Sequence, residues 1–385
     1  MQFNLTATPN IIFGAGRFDT LPEIIARFGN RVLLVNGKSS FSKSDLAKKF
    51  FTRIGEMHIQ HGLVQIEGEP SPAQIDRAVE QFRAWNPDVV VAIGGGSVID
   101  AGKAISAMLH EKGSIVDFLE GVGHLQPSGN KTPLIAVPTT SGTGSEATKN
   151  AVITQPGKDG FKKSLRHDRY IPDIALVDPL LTVGCPPTIT AASGMDAFTQ
   201  LLESYLSTNS NPITDALALE GLQRLIGSIE RAVFNGEDVE ARSQMSYAAL
   251  ISGITLANAG LGVVHGFAQP LGSLFPVPHG VVCGTLMGAA NRVTVQRLRE
   301  SGDHLTLGKY HKVAMLFGSK GNQEECTDRL IDYLDELTIK FQLPKLSDFG
   351  ITETDFPLII QHTGMKYHPV QLSNEELMSV LRMRC

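Results

Sequence analysis

The first half of the chain carries a series of short, continuously apolar runs, each ending in a turn or a loop of small residues. Arg31-Val32-Leu33-Leu34-Val35 stops at Asn36-Gly37. Val64 to Ile66 follows, then Asp88-Val89-Val90-Val91-Ala92-Ile93, which runs into Gly94-Gly95-Gly96-Ser97. Leu134-Ile135-Ala136-Val137-Pro138 runs into Thr139-Thr140-Ser141-Gly142-Thr143-Gly144-Ser145, and Ile174-Ala175-Leu176-Val177 meets Asp178-Pro179. A strand with one wet face alternates apolar and polar residues; these do not alternate, so both faces must be covered. Helical periodicity lies between them, over Ser44 to Ile54 and over Ala73 to Trp85, with Ser71 as the expected N-cap. Strand, helix and strand in succession predict a parallel sheet with helices on both faces.

The pattern changes near Leu181 to Pro187. Windows with 3.6-residue periodicity follow at Ile189 to Leu206, Ile213 to Ala232, Val239 to Ala259 and Thr327 to Phe341. The expected organisation is an α/β dinucleotide-binding domain over residues 1–183 and an all-helical metal and substrate domain over 184–385. A length of 385 residues suits two domains. A net charge of −5 and the lack of a basic stripe argue against nucleic acid. No run of about 18 apolar residues points to a membrane span, and no secretory signal is read at the N-terminus. Cys185, Cys283, Cys326 and Cys385 are scattered without a CxxC, which suits a reducing, cytoplasmic setting.

Two loops carry the case for a nucleotide. Gly94-Gly95-Gly96-Ser97-Val98-Ile99-Asp100 follows a strand and opens a helix, where backbone N–H groups and the helix dipole can meet a pyrophosphate. It is not the GxGxxG fingerprint, so the ordinary Rossmann label does not follow. Thr139 to Ser145 is a second loop of hydroxyls and glycines at a strand end, and paired loops there form a nucleotide crevice. After the first strand come Gly37, Lys38 and Ser39, where an acidic residue would hold the ribose hydroxyls of NAD. That turn favours NADP(H) over NAD(H).

The second half offers a metal site. Asp196 and Gln200 stand four apart in a helical pattern and share one face. His265 and His279 each precede a glycine in an apolar region. One carboxylate and two imidazoles converging on a point suit Fe²⁺ or Zn²⁺. Gln200 offers only a neutral amide oxygen where a third imidazole would complete the set.

Taken together, these residues resemble the iron-containing (group III) alcohol dehydrogenases. The resemblance runs through Ile12-Phe13-Gly14-Ala15-Gly16, Gly94-Gly95-Gly96-Ser97, Pro138 to Glu146, Asp178-Pro179, Gly194-Met195-Asp196-Ala197 and Pro278-His279-Gly280. It implies the dehydroquinate synthase-like architecture and nicotinamide-dependent interconversion of an alcohol with an aldehyde or ketone. It also implies that Gly95, Gly96 and Ser97, with neighbouring Asp100, form the pyrophosphate loop. Thr139, Thr140 and Thr143 would form the second nucleotide loop, and Lys162 would touch the cofactor. The metal ligands it implies are Asp196, Gln200, His265 and His279. A family histidine four residues past the first falls here on Gln269, which joins Asp196, His265 and His279 as the candidate catalytic set. A homodimer or larger homo-oligomer is expected.

Three other readings stand beside this one. A metal-independent reductase of the same fold would hold the carbonyl by hydrogen bonds from Asp196, Gln200, His265 and Gln269. A dehydroquinate-synthase-type lyase would use a similar fold and a bound nicotinamide. A nucleotide-binding sensor would keep the loops and lose the chemistry. Phe161 to Arg169, locally basic, is expected either to contact a cofactor phosphate or an anionic substrate or to form a solvated loop or strand edge.

Overall fold

The computed structural model of the chain describes residues 2–38, 41, 44–157 and 160–385. They form two compact units. One comprises Thr6–Thr140 with Gly144–Val183; the other comprises Gly184–Cys385, Ser141–Thr143 and residues up to Leu5.

The first unit holds strands β1 (Asn10–Phe13), β2 (Arg31–Gly37), β3 (Gln60–Ile66), β4 (Val89–Gly94), β5 (Leu134–Pro138), β6 (Asn150–Gln155), β7 (Phe161–Arg166) and β8 (Ile174–Val177). Six of them make one parallel sheet in the order β1-β8-β5-β4-β2-β3. Helices α1 (Leu21–Ile25), α2 (Asp45–Glu56), α3 (Pro72–Phe82) and α4 (Gly96–Met108) cover it. Leu33 and Val35 of β2 pack into one core with Ile75, Val79 and Ile105, while Val32 and Leu34 pack into another with Ile24, Phe50 and Ile54. Side chains alternate across a strand, so a strand apolar at every position has two cores to fill. The Ser71 cap forms as expected, its hydroxyl accepting from Gln74 N while the Gln74 side chain accepts from Ser71 N.

Three strands, β1, β6 and β7, are not among the runs read from the sequence. β1 at the sheet edge is half exposed and too short to show periodicity. The stretch Asn150–Gln155 and the basic Phe161–Arg166 segment form an antiparallel pair, β6 with β7. The Gly14-Ala15-Gly16 and Asp178-Pro179 motifs prove to be one structural device: Asp178 accepts from Gly16 N at 3.1 Å, Phe18 N at 2.8 Å and Leu180 N at 3.0 Å, while Gly16 sits at φ 79°.

The second unit is helical, with no strand among the described residues. It holds α5 (Pro187–Leu206), α6 (Pro212–Ile226), α7 (Ile229–Phe234), α8 (Val239–Ala259), α9 (Val263–Leu274), α10 (His279–Ser301), α11 (His304–Leu316), α12 (Gln323–Lys340), α13 (Phe356–Gln361) and α14 (Asn374–Arg382). The single helix expected over Ile213 to Ala232 is two, broken at Gly227-Ser228, where apolar periodicity continues across the break and hides it. From Gly194 to Leu206, every residue of α5 is buried. Such a helix is central to its bundle, and any polar side chain on it must be satisfied inside the protein. No single described helix is long and apolar enough to cross a membrane.

Candidate metal centre and cofactor loops

The polar residues of α5 set the centre. Asp196, Gln200 and Glu203 follow one another at intervals of four and three, so they share a face of the helix. Asp196 is 1 % exposed and Gln200 2 %. His265 reaches this face from the first turn of α9, and His279 is the first residue of α10. Both following glycines have a packing reason. A Cβ on Gly280 would lie 2.7 Å from the Ala192 carbonyl oxygen of α5, and one on Gly266 would lie 2.0 Å from the Gly364 carbonyl oxygen. Only glycine lets these backbones approach so closely.

His265 Nε2 lies 3.2 Å from Asp196 Oδ1, and His279 Nε2 lies 3.7 Å from the same oxygen. Cys283, one turn after His279 on α10, puts its sulfur 3.6 Å from His265 Nε2 and 3.8 Å from His279 Nε2. One donor atom from each of Asp196, His265, His279 and Cys283 lies within 4.8 Å of the other three. A tetrahedral ion with bonds of about 2.1 Å separates its nitrogen and oxygen donors by about 3.4 Å. The carboxylate and two imidazoles therefore stand at coordination spacing, and the donor set fits a borderline divalent cation.

Charge in the cluster is arranged to match. Burial pushes the Asp196 carboxyl up, but His279, His265 and the Cys283 thiol outweigh it and bring its pKa down to about 2. Burial works against protonated His265, yet the Cys283 sulfur and the Asp196 and Glu203 carboxylates hold its pKa well above the ordinary value. Burial pushes the Cys283 thiol up to about 12. Glu203 Oε2 is 2.7 Å from His265 Nδ1, and its other oxygen accepts from Val264 N at 2.7 Å. A carboxylate behind a ligating histidine fixes its tautomer and ring plane.

Gln200 is in the cluster but turned. Its Nε2 donates to Asp196 Oδ1 at 3.2 Å, while its Oε1 lies 2.9 Å from the Ser252 hydroxyl. The reverse orientation would set two acceptor oxygens against each other, so the amide nitrogen faces the carboxylate. Gln269 is not brought into the cluster; it is exposed on α9 one turn past His265.

In the other unit, Gly95 is the N-cap residue of α4 and has no side chain to cap it. The first helical N–H groups, on Gly96 and Ser97, are therefore those that a helix start leaves for a ligand. The two loops are tied together by Thr139 N donating to Gly94 O at 2.9 Å. A Cβ on Gly95 would meet Thr140 Oγ1 at 3.3 Å. The Asp100 carboxylate is engaged by the Ser145 hydroxyl, by Val152 N at 3.0 Å and by Lys103 at 3.1 Å. The Lys162 ammonium, nearly buried, pairs with Glu69. Lys38 pairs with Glu67 at 3.0 Å just past the end of β2. Thr143 belongs by contact to the helical unit rather than to the sheet unit that carries Thr139 and Thr140. Ser39 lies outside the described residues.

Two residues of the centre escaped the sequence reading. Cys283 stands four past His279, and Glu203 seven past Asp196; both spacings place a helical residue on its neighbour's face. Those intervals were the available signal.

Residues 8–179 match the family model described as iron-containing alcohol dehydrogenase, and residues 190–384 match the one described as the C-terminal part of the Fe-containing alcohol dehydrogenase family. Alcohol dehydrogenase 4 of Schizosaccharomyces pombe is 32 % identical over 378 residues, 96 % of this chain and 86 % of the relative. The NADPH-dependent butanol dehydrogenase of Clostridium saccharobutylicum is 33 % identical over 359 residues, 92 % and 88 % of the two chains. The crystal structure of a 1,3-propanediol oxidoreductase superposes with a TM-score of 0.90 at 28 % identity and covers both chains completely. With Asp196, His265 and His279 gathered at one point, the chain belongs to the iron-containing alcohol dehydrogenase family and is an NAD(P)-dependent alcohol dehydrogenase.

Proposed function

We propose that this enzyme interconverts a small alcohol and its aldehyde with NADP(H) in preference to NAD(H), using a divalent cation, iron or zinc, held by Asp196, His265 and His279. The observation that carries the reading is the 3.2 and 3.7 Å spacing of the two imidazole nitrogens from one buried carboxylate oxygen. A bound cation there supplies Lewis acidity toward a substrate oxygen, and the hydride chemistry is the nicotinamide's own.

The chain's residues prepare that site. Glu203 keeps a proton on His265 Nδ1, so Nε2 is the nitrogen that gives up its proton and faces the centre. The His279 side chain is 31 % exposed and that of Asp196 2 %, so the open side of the centre is at His279, where a substrate oxygen would arrive. Gly95, Gly96 and Ser97 of the sheet unit offer backbone N–H groups to a pyrophosphate, and the loop carrying Thr139, Thr140 and Thr143 is read as the second nucleotide loop. Asp100 anchors the second loop through the Ser145 hydroxyl, and Lys162, paired with Glu69, is read as a contact to the cofactor. Residues 1–183 are read as the cofactor domain and 184–385 as the metal domain, a reading supported by the change of compact unit after Val183. The cofactor preference rests on Asn36-Gly37-Lys38, which offers no carboxylate to repel a 2′-phosphate. The substrate class follows the butanol and propanediol named for the relatives. A homodimer or larger assembly in the cytoplasm completes the proposal.

The test is metal content by elemental mass spectrometry on untagged protein, with NADPH- and NADH-dependent reduction of short aldehydes before and after chelation. About one iron or zinc per chain, with turnover lost on chelation and faster with NADPH, is the expected result. Metal-free protein with chelator-resistant turnover would replace it with reduction by hydrogen bonds alone.

A further inference from the structure

We infer that the Cys283 sulfur is the fourth protein ligand of the metal centre, and that Gln200 is a positioning residue outside the coordination shell; this rests on the metal reading above.

Three observations carry it. The first is distance. A tetrahedral ion with a metal–nitrogen bond of about 2.05 Å and a metal–sulfur bond of about 2.3 Å holds nitrogen and sulfur about 3.6 Å apart. Cys283 Sγ lies 3.6 and 3.8 Å from the two imidazole Nε2 atoms, and it shares the 4.8 Å cluster with the Asp196 donor. The second is how the sulfur is presented. Cys283 follows His279 by four residues on α10, so a single helix face delivers both groups to the same point. Gly284 beside it lets α10 approach α5: a Cβ there would lie 2.9 Å from Met195 Cβ. The third is what Gln200 does instead. Its amide oxygen faces Ser252 and its amide nitrogen faces the Asp196 carboxylate, so it steadies Asp196 as a hydrogen-bond donor.

When a cation binds, the thiol S–H bond breaks, its proton leaves to solvent and the sulfur lone pair forms the metal bond. A sulfur in place of a neutral amide oxygen makes the donor set softer and shifts it toward zinc, cobalt and iron(II) and away from magnesium and manganese. The His279 side chain is the exposed edge of this donor set, so a substrate oxygen would reach the centre from that side.

Cobalt(II) titrated into the metal-stripped full chain tests this by absorption, without turnover. Visible ligand-field bands saturating at about one cobalt per chain report the site, and a near-ultraviolet thiolate-to-cobalt charge-transfer band reports sulfur. The wild type should show both. Cys283→Ser should keep the ligand-field bands, lose the charge-transfer band and bind cobalt at least about tenfold more weakly. Gln200→Ala should keep both bands. Stoichiometric cobalt without the charge-transfer band in the wild type, or a band that survives Cys283→Ser, overturns the sulfur ligand and leaves the metal site standing. No stoichiometric cobalt, or binding indifferent to Asp196→Ala, overturns the metal site itself. The wild-type spectrum decides the question even if a variant folds poorly.

Discussion

The two halves of this enzyme build their proposed sites from opposite materials. The loops after β4 and β5 offer mainly backbone, glycines and the start of α4, with a few side-chain hydroxyls beside it. The centre on α5, α9 and α10 uses side chains almost entirely, and backbone enters mainly where Gly266 and Gly280 let helices touch. A backbone site is written in a few consecutive residues and is damaged by adding a Cβ. A side-chain site is assembled from positions far apart and is damaged by removing an atom. The two kinds of damage should therefore separate cleanly, one affecting the cofactor and the other the metal.

The largest effect is expected at Asp196. Its oxygen is the one both imidazoles face, and no neighbouring carboxylate can take over its position, because Glu203 is held by His265 and Val264 N. Asp196→Ala should reduce bound metal from about one per chain to near zero and lower kcat/KM about a thousandfold, the scale of several kcal/mol of Lewis-acid stabilisation. Binding of NADPH, followed by fluorescence, should stay within about twofold, since nothing in the sheet unit changes. A matching loss of cofactor affinity would break the separation.

Next comes Glu203→Gln, which keeps shape and removes charge behind His265. Outer-shell partners of this type are worth about 10- to 100-fold in metal affinity. A competitive chelator titration should show that drop, with kcat recovering when metal is added in excess. An affinity unchanged by the substitution would mean that packing alone orients the His265 ring.

Gly95→Val tests the other half. Gly95 has φ −73°, so a side chain is tolerated by the backbone, but its Cβ would meet Thr140 Oγ1 at 3.3 Å and crowd the gap between the two loops. KM for NADPH should rise about tenfold, the worth of roughly one lost charge-assisted hydrogen bond. Metal content should not move.

Legibility follows the same division. The parallel sheet could be read because β2, β4 and β5 are apolar at every position and end in glycine or hydroxyl loops, all of it local information. The β6–β7 pair could not, since Phe161 to Arg166 carries three basic residues whose partners, Glu69 for Lys162 and Glu120 for Arg166, lie far away in sequence. In the helical half, α8 showed its full length from periodicity, yet the break between α6 and α7 left no apolar gap. Asp196, His265 and His279 stood out through their motifs. Cys283 did not, because a cysteine in an apolar run reads as packing until α10 is laid against α5 and the sulfur is seen 3.6 Å from His265 Nε2.

The smallest effect, and the finest probe of the backbone half, is at Lys38. It is exposed at the end of β2 and paired with Glu67 at 3.0 Å, a geometry worth about 0–1 kcal/mol in water and less in salt. Losing that pair should hardly alter folding, so Lys38→Glu isolates its charge. Reversal places a carboxylate where a 2′-phosphate would lie and where ribose hydroxyls would find an acceptor. The ratio of kcat/KM for NADPH to that for NADH should fall about fivefold at low ionic strength, and the difference should shrink as salt is raised, because the group is solvent-screened. The melting temperature should stay within about 1 °C, as expected for a surface change below 0.5 kcal/mol. A ratio that does not move, at any salt, would take the cofactor preference away from this turn and return it to contacts deeper in the β4 and β5 loops.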